Sequence, residues 1–124
     1  MSDQLKRMFE LRIEFMQAIK HKYPNSYPEW PVDVSKKRSQ RALRETALKG
    51  VEEMFEALQH LKNWKPHKKY GESNFDRQEF LEEMVDAFNY FFAMLVMLGV
   101  DADEFMQAFE AKNKKIHDRL LGKY

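Results

Sequence analysis

Apolar residues recur at helical spacing along almost the whole chain. Leu5, Met8, Phe9, Ile13, Met16 and Ile19 mark one face of a helix predicted over about Asp3–Lys22. The next stretch, "YPNSYPEWPVD", holds Pro24, Pro28 and Pro31. Prolines this dense forbid a continuing helix, so the stretch reads as a loop, and its Tyr and Trp residues suggest that it packs on something. A second helix is predicted over about Lys36–Lys62, with a stripe of Leu43, Ala47, Val51, Met54, Leu58 and Leu61. Gly50 sits inside it at a cost of about 1 kcal/mol relative to Ala, which close packing against a neighbour would explain. "NWKPHKKYGESN", with Pro66 and Gly71, ends that helix. A third is predicted over Asp76–Leu98, stopping at Gly99. The fourth opens with "DADE", where Asp101 can cap and Glu104 can reach back. Its expected buried stripe is Phe105, Phe109, Ile116 and Leu120. The expected architecture is all-α, four helices with short links, in one domain covering residues 1–124.

Composition narrows the class. Hydrophobic residues make up 44% of the 124, enough for a real core. The 21 Lys and Arg nearly balance the 20 Asp and Glu, so no nucleic-acid partner is expected. Absence of cysteine removes disulfides and thiolate metal sites. "MSDQLKRMFELR" has no signal-peptide apolar core, and the Met84–Leu98 run falls short of the ~20 residues of a membrane span. The expectation is a soluble, cytoplasmic protein with no membrane partner.

The third helix is apolar over most of its circumference, yet it carries Asp86. A buried carboxylate is costly unless it is paired or binds a cation. "EEMVD" places Glu83 and Asp86 three apart, and "EEMFE" on the second helix does the same for Glu53 and Glu56. Residues three apart share a helix face, so two antiparallel helices could converge four carboxylates. An all-oxygen set suits Mg²⁺, which would explain why Asp86 is tolerated. The plainer reading is a solvated acidic face, and Glu53 and Glu56 do lie roughly opposite the expected apolar stripe. A di-iron bundle needs Glu-x-x-His pairs, and the chain has none. Walker loops and G-x-S-x-G elbows are absent as well.

Basic residues follow the acids. "NWKPHKK" sets Trp64 beside Lys65, Lys68 and Lys69, and "KNKKIHDR" places Lys112, Lys114, Lys115 and Arg119 late in the fourth helix. Cations near a metal–carboxylate cluster suit a polyphosphate substrate. Lys114, Lys115 and Lys123 read better as ordinary helix-end lysines. Trp64 reads as a core anchor in preference to a base-stacking platform.

The order of these elements resembles a known group. E-x-x-E, a Trp-Lys segment, E-x-x-D in a greasy helix and "LGVDADEFMQAFEAKNKKIHDR" resemble the all-α nucleoside triphosphate pyrophosphohydrolases over about Val51–Arg119. The resemblance looks closest to the dimeric dUTPases and phage dCTP/dUTP pyrophosphatases, with MazG proteins as cousins. It implies a MazG/dimeric-dUTPase-like four-helix bundle completed by oligomerisation, as a dimer or dimer of dimers. It implies Mg²⁺, with Mn²⁺ as substitute, on Glu53, Glu56, Glu83 and Asp86, and a catalytic role for Glu53 toward water. It implies phosphate binding by Lys65, Lys68, Lys112, Asn113 and Arg119, and leaves Trp64 as a candidate for the base. The implied reaction splits a nucleoside triphosphate, dUTP or dCTP, into the monophosphate and pyrophosphate; a MazG-like enzyme of broad nucleotide range and a non-enzymatic helical module are the alternatives. Asn89 and Ile116 depart from residues common in relatives, and Glu52 and Glu82 adjoin the motif acids, leaving the register open.

Overall fold

A computed structural model describes residues 2–67 and 75–122. They form four helices and no strand: α1 Ser2–Lys22, α2 Lys37–Leu58, α3 Arg77–Leu98 and α4 Ala102–Leu120. The ends follow local chemistry. The Asp76 carboxylate accepts from Glu79 N at 3.1 Å and starts α3. At its other end Val100 N donates to Leu95 O and Gly99 N to Val96 O, both at 3.0 Å, with Gly99 at φ 87°. This pair of bonds is a Schellman stop, and its left-handed residue suits glycine. Asp101 then caps α4 by accepting from Glu104 N at 2.8 Å. α2 ends four residues before the expected Lys62. Gln59, His60 and Leu61 donate to the carbonyls of Glu56, Ala57 and Leu58 in tight i→i−3 turns. No single helix among the described residues is long and apolar enough to cross a membrane.

The chain divides into two compact units, Asp33–Met94 and Met1–Val32 with Leu95–Tyr124. In the first, α2 meets α3 through small residues. A Cβ added at Gly50 would lie 2.6 Å from the Phe91 ring and 3.1 Å from Ala87 O. Close packing therefore accounts for the glycine. Ala57, Ala87 and Ala93 are fully buried in this unit. In the second, α1 packs on α4, with Phe9 and Phe105 rings 6.4 Å apart and Met16 and Met97 buried. The proline loop docks here through Val32 N to Met97 O at 2.9 Å.

Three expected faces are rotated or shortened. On α1 the buried row is Phe9, Arg12 and Met16, while Met8 is half-exposed. Arg12 donates to the Tyr27 hydroxyl at 3.0 Å and lies 4.8 Å over the Phe15 ring, so its stem and charge are accommodated together. On α2 the buried row is Leu43, Thr46, Gly50 and Ala57, with Glu53 half-buried in line with it. Val51, Leu58 and Phe55 (60% exposed) face out. Large side chains cannot occupy a seam this close, so small residues define it. On α4 only the first half is covered. Phe109, Ile116 and Leu120 (82%) are exposed, contrary to expectation. On α3 the Phe91 ring packs over Gly50.

Candidate active site

The four motif acids lie in one unit, on the two helices that Gly50 draws together. Gly50 faces Ala87 and Phe91, while His60, further along α2's direction, faces Glu83. Rising numbers on one side meet falling numbers on the other, so the helices run antiparallel. Glu53 stands one turn beyond Gly50, and Glu83 and Asp86 stand just before Ala87. Glu53 is hydrogen-bonded to Glu56, and this bond, more than any other influence, holds its proton above the ordinary value of 4.5. Partial loss of water and the negative charges of Glu56, Asp86 and Glu83 push the same way. The field at Glu53 thus reports all four acids. Glu52 and Glu82 are exposed whereas Glu53 and Glu83 are half-buried, which favours the latter register.

The burial cost expected at Asp86 falls on another acid in the fold. Asp86 is exposed rather than desolvated, because Val85 and Phe88 beside it are uncovered too. Glu83 is the acid that meets burial. Its Oε2 is buried and, among the described residues, has no hydrogen-bond partner, although His60 Nε2 lies 3.2 Å away. That spacing is an ion-pair distance whose N–H is not aimed at the oxygen. A half-buried carboxylate in a field of like charge, with one oxygen lacking a donor, fits a cation in donor chemistry. Yet no three His, Asp or Glu among the described residues are gathered as a metal cage. Glu53 and Glu56 are turned to each other and Glu83 to His60.

The basic residues divide between the units. Lys65 is half-buried in the unit of the acids, with its Nζ 5.5 Å from the Trp64 ring centroid. Trp64 is 69% exposed, so it is no core anchor; the turn after Leu58 carries it away from the α2–α3 seam. Lys68 and Lys69 lie outside the described residues, as does Lys123. Lys112, Asn113 and Arg119 belong to α4 in the other unit. Lys112 and Arg119 are exposed, and Asn113 Nδ2 donates back to Phe109 O at 2.8 Å. Sequence reasoning missed His60 because no Glu-x-x-His spacing marked it. It missed Arg12 because an arginine inside an apolar row looks like a break in the pattern.

An antiparallel helix pair with acids on both partners defines the class, an all-helical scaffold. Residues 11–113 match the family described as phosphoribosyl-ATP pyrophosphohydrolase, and the chain belongs to that family. It is an all-helical, MazG-like family of nucleoside triphosphate pyrophosphohydrolases. The match runs through both units and includes all four acids. Searches of curated proteins and of solved structures each returned no significant match.

Proposed function

We propose that this chain is a divalent-metal-dependent hydrolase that splits a nucleoside triphosphate between its α and β phosphates, with dUTP or dCTP as substrate. The carrying observation is the close α2–α3 seam at Gly50, which brings the helix of Glu53 and Glu56 against the helix of Glu83 and Asp86. Pyrophosphohydrolases of the family are typically dependent on a divalent metal. The residues that would hold Mg²⁺, or Mn²⁺ in its place, are these four. When bound, such an ion polarises phosphate oxygens and acidifies water.

The chain's own residues supply the rest. Glu53 has a raised proton affinity, which suits a base that takes a proton from the attacking water. The water oxygen bonds to the α phosphorus, the bond to the bridging oxygen breaks, and pyrophosphate leaves. Lys65, in the unit of the acids, is suited to meet the charge on the leaving group, and Lys68, Lys112, Asn113 and Arg119 remain the phosphate contacts that the resemblance implies. Trp64, exposed beside Lys65, is available to a base. The late block "LGVDADEFMQAFEAKNKKIHDR" supports dUTP or dCTP. The family match favours a second reading, phosphoribosyl-ATP.

A second copy completes the fold in this reading. Leu48, Val51, Phe55 and Leu58 form an exposed row on α2, and Leu81, Val85 and Phe88 form another on α3. These rows repeat every three or four residues, as bundle-facing residues do. A two-helix layer with an uncovered apolar face becomes a four-helix bundle when two copies stack about a dyad. Sedimentation should show at least a dimer, and a stable monomer at micromolar concentration would exclude it. The setting we assign is the cytoplasm, where nucleotides are processed.

The test is pyrophosphate release with Mg²⁺ across the eight common nucleoside triphosphates, dUTP and phosphoribosyl-ATP. Preference for dUTP or dCTP supports the first reading, and preference for phosphoribosyl-ATP the second. Even rates across the panel would make the enzyme MazG-like in range. No release on any of them would leave a helical interaction module.

A further inference from the structure

His60 stands outside every motif of the acids, yet its ring lies against Glu83, the acid with a buried, unpartnered oxygen. The tight turns after Leu58 take His60 out of the helix and leave its ring facing α3. Its Nε2 lies 3.2 Å from Glu83 Oε2, and the two side chains are only 22% and 33% exposed. Oε2 is buried and has no hydrogen-bond partner among the described residues. A buried carboxylate oxygen without a donor costs free energy, and a small rotation of the imidazole supplies one. Neither Glu82 nor Asp86 faces this difficulty, since both are exposed.

We infer that His60 is a positioning residue for Glu83: its Nε2–H holds the buried Oε2 and leaves Oε1 for a divalent cation. The inference rests on the reading of the four acids as cation ligands. Carboxylates that bind metals are themselves held by hydrogen bonds, and loss of such a partner weakens metal binding about 10- to 100-fold. A held glutamate loses fewer rotamers when the cation arrives, so the donor acts through affinity rather than through the chemical step.

The experiment titrates Mn²⁺ into the full chain without nucleotide and follows free Mn²⁺ by its paramagnetic resonance signal. Wild type is compared with His60→Phe, which keeps a ring but no N–H, and with His60→Gln, which keeps a donor at similar reach. Metal-free melting curves accompany each protein. The expected result is a Kd raised about tenfold in His60→Phe and largely restored in His60→Gln, with little change in metal-free melting. The Mg²⁺ concentration for half-maximal activity should move in parallel, while kcat at saturating Mg²⁺ stays close to wild type. Equal Mn²⁺ affinity in wild type and His60→Phe overturns the inference alone. Tighter binding in His60→Phe overturns it too, because His60 would then compete for Glu83. If His60→Phe does not fold, His60→Gln decides: affinity near wild type supports the role and a tenfold loss ends it. Failure of the wild type to bind Mn²⁺ removes the metal reading and this inference together.

Discussion

The two units solve the same packing problem with opposite materials. Around Gly50 the α2–α3 pair uses Gly and Ala, and the Phe91 ring covers the space where a Cβ would be. Around Phe9 the α1–α4 pair uses aromatic rings and methionines, 6.4 Å between ring centroids. Small residues let backbones approach, and short acids one turn away then enter each other's field. Ring-spaced helices keep their charges apart. The seam of small residues is therefore what turns two common E-x-x-E/D patterns into one electrostatic unit.

The largest effect should come from breaking that unit at Asp86. Asp86→Asn is expected to bring pyrophosphate release to background while leaving the fold intact. Without metal the variant should melt at or above the wild-type temperature, because one of four like charges is gone. Wild type should gain stability from Mg²⁺, since a ligand that binds only the native state stabilises it, and the variant should gain less. Full activity with an unchanged Mg²⁺ response would exclude Asp86 as a ligand.

Packing substitutions then separate the units. Phe9→Ala, at a site 3% exposed, should cost about 3–5 kcal/mol by opening a cavity in the ring-spaced unit. Gly50→Ala should cost about 1–3 kcal/mol despite the better helix propensity of Ala, because the new methyl meets the Phe91 ring and a backbone carbonyl. It should also lower activity by prising the acids apart. Gly99→Ala should cost about 1–2 kcal/mol for a different reason, its φ of 87°, and should spare the acids. Denaturant melts and the pyrophosphate assay read both quantities. Equal activity losses at Gly50 and Gly99 would contradict the account of the seam.

The helices, the Asp101 cap and the Gly99 stop were legible because each depends on residues within one turn of itself. That Glu53 and Glu56 stand one turn apart on one helix and Glu83 and Asp86 one turn apart on another was legible as spacing. The buried face of α2 was not. Weighing Val51 and Leu58 above Gly50 and Ala57 put Glu53 on the solvent side, whereas a close seam selects for smallness rather than hydrophobicity. Phe109, Ile116 and Leu120 mislead for the complementary reason: apolar periodicity marks a face to be covered, and nothing local says whether the same chain covers it. Arg12 and His60 are isolated polar residues whose partners, Tyr27 and Glu83, are distant in sequence.

The smallest effect is a pH response that tells two carboxyl groups apart within one unit. Glu53 is held above 4.5, chiefly by its hydrogen bond with Glu56, so the folded chain binds that proton more tightly than the unfolded chain does. The stability this supplies is fully present below 4.5 and is lost as pH rises through the raised value. Asp33 is held below 3.8, first by the Ser35 hydroxyl and then by the Ser35 backbone N–H. Its contribution is present above 3.8 and is lost as pH falls through the lowered value. In metal-free melts, Glu53→Gln should flatten the decline on the rising side of 4.5 and leave the acid limb alone. Asp33→Asn should flatten the acid limb and leave the rest. Mg²⁺ should offset the Glu53 decline, because a cation binds the deprotonated carboxylates better as pH rises. A Glu53→Gln profile parallel to wild type would mean that the four acids do not share a field.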